Sequence, residues 1–65
     1  MQIQLNGENR IFESVQTVQD LLDELNLEGR LAVEVNRNII PRSQFQDFRI
    51  SPGDTIEIVH AIGGG

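Results

Sequence analysis

Sixty-five residues, 38% of them apolar, make one small domain and leave no room for a second core. The absence of cysteine excludes disulfides, thiolate nucleophiles, thiolate metal sites and cysteine-held iron–sulfur clusters. Ten acidic residues against five basic ones give a formal charge of −5, which argues against nucleic acid and for a basic protein groove as partner.

Met1, Ile3 and Leu5 alternate with Gln2 and Gln4, the period of a half-buried strand. Asn6-Gly7 supplies the positive φ angles of a tight hairpin turn. Residues 10–13 are then the returning strand, in which the adjacent Ile11 and Phe12 leave the facing open. Thr17 is placed to cap a helix, with Asp20 three residues on as an acidic version of the capping box. Val18, Leu21, Leu22 and Leu25 fall at i, i+3, i+4 and i+7 and form one apolar stripe, leaving Gln19, Asp20, Asp23 and Glu24 as a solvated face. Asn26 can end the helix in a left-handed conformation, and Gly29 opens the loop that follows.

Leu31, Val33 and Val35 alternate with Ala32 and Glu34 in a third strand. Asn36-Arg37-Asn38 is turn material, and Ile39-Ile40 is a short apolar piece that Pro41 ends or confines to a sheet edge. Phe45 and Phe48, three apart, can fold onto the core as a short helical turn. Ser51-Pro52-Gly53-Asp54 has proline preset at the second turn position and glycine at the third. A last strand runs over residues 54–62. The order ββαβ, an irregular stretch, then β gives a two-layer α+β domain, with one main helix across one face of a four- to five-stranded sheet.

With Ile56 and Ile58 turned inward, Glu57, Val59 and Ala61 point to the other face. Val59, Ala61 and Ala32, together with Ile62 at the end of the run, are the candidate partner-binding residues. An apolar patch rimmed by charge is a common docking surface.

Gly63, Gly64 and Gly65 follow the last strand directly. Three glycines pack no side chain and lose much entropy on ordering, so a fold gains little from them. The domain is expected over residues 1–62, with residues 63–65 a flexible tail able to thread a channel too narrow for other residues. Such a tail delivers the α-carboxylate of Gly65. All five basic residues are arginine, so no lysine amine is present to attack an activated carboxyl group.

Catalytic groups are otherwise sparse. His60 is the single histidine, and a lone histidine in a terminal strand reads as a polar residue rather than a metal ligand or general base. Asp23 and Glu24 are consecutive on a helix and diverge, and Ser14, Ser43 and Ser51 have no histidine–acid partners. No glycine-rich loop precedes a helix, so there is no phosphate cradle. The expectation is a non-enzyme with no bound metal or cofactor. No apolar run approaches the roughly 20 residues of a membrane span, and the strand-like start has no signal-peptide pattern.

The chain resembles the β-grasp, or ubiquitin-like, superfold in its Met1-Gln2-Ile3 opening, its ββαβ order and a final strand running into Gly64-Gly65. Within that superfold it is similar to the ThiS-type sulfur carriers of thiamine biosynthesis. The residues that carry this likeness are Thr17-Val18-Gln19-Asp20-Leu21-Leu22, Val35-Asn36-Arg37-Asn38-Ile39-Ile40-Pro41-Arg42, the Ser51-Pro52-Gly53-Asp54 turn and Ala61-Ile62-Gly63-Gly64-Gly65.

The resemblance implies a mixed sheet with the last strand parallel to the first. It implies a cytoplasmic carrier, monomeric when free, whose Gly65 is adenylated with ATP by a ThiF-type adenylyltransferase. A sulfur donor, a cysteine desulfurase or equivalent, would then convert the adenylate to a C-terminal 1-thioglycine. That thiocarboxylate would pass its sulfur to a ThiG-type thiazole synthase. Gly64-Gly65 match the family's functional dipeptide, and Gly63 extends it. Three alternatives remain open at this stage: the small subunit of molybdopterin synthase, a modifier attached to target lysines, and a non-covalent β-grasp module.

Overall fold

The computed structural model describes residues 1–61. Its elements are β1 (Gln2–Leu5), β2 (Glu8–Ile11), α1 (Val18–Glu24), β3 (Leu31–Val35), β4 (Asn38–Ile40), a 3-10 helix (Arg42–Gln44) and β5 (Thr55–His60). The five strands form one mixed sheet in the order β2-β1-β5-β3-β4. β1 and β5 are parallel, as the resemblance implied, and the other neighbours are antiparallel.

Two asparagine turns set the hairpin registers. Asn6 and Gly7 have φ of 50° and 85°, and Asn36 and Arg37 have φ of 51° and 72°. Positive φ at both central residues gives the turn whose twist matches paired strands. The first turn places Glu8 directly opposite Leu5, so β2 begins at once and ends at Ile11 rather than spanning 10–13. Ile11 faces outward, while Phe12 leaves the strand, buries its ring and donates its N–H to Met1 O at 2.8 Å. The second turn uses two residues, so Asn38 opens β4 instead of closing the turn.

The helix stripe packs as the spacing predicts, with Val18, Leu21 and Leu22 buried and Leu25 half-buried. They lie against Ile3, Leu5, Val33, Val35, Ile56 and Ile58 of the sheet in one apolar cluster. Ile40 of β4, with Phe12, Val15, Phe45 and Ile50 from the connecting segments, completes that cluster. Val15 and Ile50 have no periodic pattern around them. They are brought in by a cross-loop pairing in which Ile50 donates its N–H to Gln16 O at 2.9 Å, beside the Thr17–Arg49 bridge. Among the described residues no polar side chain is buried.

All four N–H groups of the first helical turn are satisfied, which a seven-residue helix needs. Val18 N–H donates to Phe48 O, Gln19 N–H to Phe45 O, Asp20 N–H to Thr17 Oγ1 and Leu21 N–H to Thr17 O, at 2.9 to 3.1 Å. The segment after the 3-10 helix thus caps the helix from outside, while Phe45 is buried and Phe48 half-buried. Asp20 is half-buried rather than free on a solvated face, because its carboxylate accepts Gln16 N–H at 3.0 Å and Thr17 N–H at 3.1 Å.

Those backbone donors, Gln16 first and Thr17 next, hold the Asp20 carboxyl below its ordinary value of 3.8. A carboxyl lowered in the folded state contributes stability that is full above the unfolded value and is lost as pH falls through the folded one. Asp20→Asn is therefore expected to flatten the acid limb of a Tm-against-pH curve below 3.8. An unchanged limb would show that the capping carboxylate has no part in acid unfolding.

Candidate functional site

β5 leads directly to the residues singled out as the reactive end, and the fold anchors this strand on both sides. Gln4 N–H reaches Asp54 O and Asn6 N–H reaches Ile56 O, both at 2.9 Å. β1 ends there, and the Asn6 side chain continues the ladder. Its Oδ1 accepts Ile58 N–H at 2.9 Å and its Nδ2 donates to Ile58 O at 3.2 Å. On the other side, Asn36 N–H donates to Thr55 O at 2.7 Å while Asn36 Oδ1 accepts Thr55 N–H at 3.0 Å. Ala61 N–H then donates to Arg30 O at 2.9 Å. Each turn asparagine therefore takes the positive φ and clamps the backbone of β5.

The turn into β5 is fixed as its sequence predicts. Gly53 has φ of 87°, Asp54 N–H donates to Ser51 O at 3.1 Å, and Asp54 Oδ2 accepts Ser51 N–H at 2.8 Å. Asp54 Oδ1 also accepts Asn36 Nδ2 at 3.0 Å, joining this turn to the β3–β4 turn.

The sheet face away from α1 carries the candidate docking residues. Ile56 and Ile58 are buried, and Glu57, Val59 and Ala61 are exposed. Val59 sits directly opposite Ala32 of β3, and Glu57 directly opposite Glu34. Glu34 in turn faces Ile39 of β4. Val59 is 58% exposed and Ile39 75%, so Ile39 joins Val59 and Ala32 in an apolar strip crossed by two carboxylates. Sequence reasoning missed Ile39, although the register across a two-residue Asn36-Arg37 turn places it opposite Glu34. Ile11, also 75% exposed, shares the face but pairs with Gln2 at the far corner, about 20 Å from Val59 along the strands.

Carboxylates directly opposite each other across a ladder oppose sheet formation. The Glu34–Glu57 pair thus carries a small stability cost on a face that holds exposed apolar side chains. A basic partner surface would relieve it.

On the other side of the sheet, a cleft of about 480 Å³ lies between the end of α1 and the 3-10 helix, lined in part by Leu22, Leu27, Gly29, Leu31, Arg42 and Phe45. No group of three or more His, Cys, Asp or Glu among the described residues is placed to hold a metal ion. His60 is exposed and lies opposite Leu31. No helix among the described residues is long and apolar enough to cross a membrane. Of the sequence-based site residues, Ala32, Val59 and Ala61 are thus placed together at the exit of β5, whereas Ile62, Gly63, Gly64 and Gly65 lie outside the described residues.

The model of the ThiS family matches residues 3–65. The chain belongs to the ThiS family. The sulfur carrier protein ThiS of Bacillus subtilis is 38% identical to this ThiS-family chain, over 97% of the chain and 98% of that protein. A thiazole synthase of Paramagnetospirillum magneticum is 44% identical over the whole chain, which spans only 20% of that protein's length. The crystal structure of the thiamine biosynthesis protein ThiS from Geobacter metallireducens superposes with a TM-score of 0.86, at 26% identity and full coverage of both chains. The fold is the β-grasp fold of that ThiS, with five strands and one main helix.

Asn6→Gly keeps the positive φ and removes the clamp from Ile58, so it isolates the side chain's contribution. Urea unfolding is expected to show a loss of about 1–2 kcal/mol. A loss under a few tenths would mean that water replaces Asn6 on β5 at no cost.

Proposed function

We propose that this ThiS-family chain is the sulfur carrier of thiamine biosynthesis, and that the carboxylate of Gly65 is the group that reacts. A carboxylate is a poor electrophile. Attack of its oxygen on the α-phosphorus of ATP, bound by a partner adenylyltransferase, releases pyrophosphate and forms an acyl-adenylate. Hydrosulfide from a sulfur donor then attacks the acyl carbon, displaces AMP and leaves a thiocarboxylate. The thiocarboxylate sulfur next attacks the acceptor, which the proposal takes to be a thiazole synthase. In this scheme the chain is a co-substrate, and ATP and sulfur come from partners in the cytoplasm.

The family match through residue 65 carries this reading, because it includes the glycine end as well as the domain. The thiazole synthases of Paramagnetospirillum magneticum and Magnetococcus marinus, each with a segment like this chain over 20% of its length, support a thiazole synthase as acceptor. The composition fits the chemistry, since a chain without lysine has no side-chain amine to capture its own adenylate. The Val59–Ala32–Ile39 strip, with Glu34 and Glu57 across it, fits a docking face for a partner with basic residues around an apolar floor.

Incubation with the adenylyltransferase, ATP and a sulfur donor is expected to raise the intact mass by the difference between sulfur and oxygen. A chain lacking Gly65 is expected to melt like the full chain, stay unmodified and fail to restore growth of a ThiS-deficient strain without thiamine. Growth of that strain on the truncated chain would overturn the proposal, and conjugates on cellular lysines would favour a protein modifier instead.

Val59→Glu places a third carboxylate beside Glu34 and Glu57 at an exposed position. It is expected to weaken binding to the adenylyltransferase at least tenfold, about 1.4 kcal/mol, while unfolding free energy changes by less than about 0.5 kcal/mol. Equal losses in binding and stability would remove this face from the docking surface.

A further inference from the structure

Arg42 stands outside everything assigned so far. It opens the 3-10 helix directly after Pro41, whose φ of −63° fixes the entry of that segment. The following residues are bound to the start of α1 by Phe45 O and Phe48 O, which accept Gln19 N–H and Val18 N–H. From this anchored base the Arg42 side chain crosses the cleft beside Phe45 and donates from Nη2 to Gly29 O. Gly29 has φ of 94° and begins the return to the sheet. The next carbonyl, Arg30 O, is the acceptor for Ala61 N–H, and the next residue, Leu31, lies opposite His60. A continuous set of bonds thus runs from the helix start through Arg42 to the last described hydrogen bond of β5. Among the described residues the β1 side offers no equivalent support at this level, because its final clamp, Asn6, ends at Ile58.

We propose that Arg42 is a positioning residue. By holding the Gly29 carbonyl it keeps Arg30 O in place to bind Ala61, and so sets the direction in which the chain leaves the sheet toward its reactive end. The guanidinium suits the task, since it stays charged and its planar fork donates without competing for a proton. A hydrogen bond from a charged donor to a backbone carbonyl is also stronger than a neutral one. This inference rests on the sulfur-carrier reading for its consequence, delivery of Gly65 to a partner's ATP site. The clamp itself is a property of the free chain.

Two measurements on Arg42→Met and Arg42→Lys test it. Methionine keeps an apolar stem in the cleft and removes the donor, whereas lysine keeps a donor of similar reach. In the free chain, amide exchange at Ala61 is expected to rise about tenfold in Arg42→Met, while exchange at Ile58, held by Asn6, stays within about twofold. Steady-state adenylation with the partner enzyme is expected to show kcat falling severalfold with KM unchanged, because the docking face is intact and the end enters the ATP site less often. Arg42→Lys is expected to recover most of both effects.

Unchanged exchange at Ala61 overturns the clamp. A parallel rise at Ala61 and Ile58 overturns it too, since it would show general loosening. Raised exchange at Ala61 with kcat and KM both unchanged overturns the delivery role. A wild-type chain that the enzyme never adenylates sinks the sulfur-carrier reading and the delivery role with it, while the exchange data still decide the clamp.

Discussion

The placement of β5 at the centre of the sheet, hydrogen-bonded on both sides, is the constraint on which the rest of the structure depends. Under the sulfur-carrier proposal, the strand that leads to Gly65 must hold its position while that end enters a partner. An edge strand would have one ladder, and this one has two, to β1 and to β3. The parallel pairing with β1 follows from the crossover through α1 and the connections beyond it, and it is short, with Gln4–Thr55 and Leu5–Ile56 as its partners. Parallel pairs are slightly weaker per residue. Asn6 compensates where β1 runs out, by offering its side-chain amide as one more peptide unit. Asn36 does the same at the start of the strand on the other side.

The same constraint separates the two faces. Burying Ile56 and Ile58 under α1 forces Glu57 and Val59 to the opposite side, where no helix among the described residues covers them. Among the described residues α1 is the one α-helix, and it lies on the inner face, so the outer face is open there. What distinguishes this face from an ordinary solvated one is its composition. Ile39 and Val59 are largely exposed, Ala32 lies between their strands, and Glu34 opposes Glu57. A surface selected for stability alone would put opposite charges across that ladder.

Much of this was legible in the residues. The helix stripe, its Thr17 cap, the Asn6-Gly7 and Ser51-Pro52-Gly53-Asp54 turns and the inward phase of β5 are all local patterns, and local patterns can be read without the fold. The facing of Ile11 and Phe12 could not be read that way, because two adjacent apolar residues fit either phase. The two-residue turn decides it by setting the register from Leu5 onward. Val15 and Ile50 escaped notice because they are buried by a pairing between loops 33 residues apart, as with Gln16 and Arg49. The second role of Asn6 was equally hidden. Asn-Gly announces a turn, but its bonds to Ile58 span 52 residues and exist only once β5 lies beside β1.

Arg42 shows the same limit from the other direction. In sequence it is one of five arginines in a chain without lysine, and its charge alone says nothing about its task. The fold gives it one, by fixing its backbone against the helix start and bringing Gly29 within reach across 13 residues of sequence. The residues that hold β5 are thus spread over the whole chain, with position 36 at its start and positions 6, 30 and 42 toward its end. A small domain has few buried groups with which to stiffen one strand terminus. It does so instead with side-chain amides and a guanidinium on backbone atoms, a type of bond that tolerates water on one side and needs no additional core.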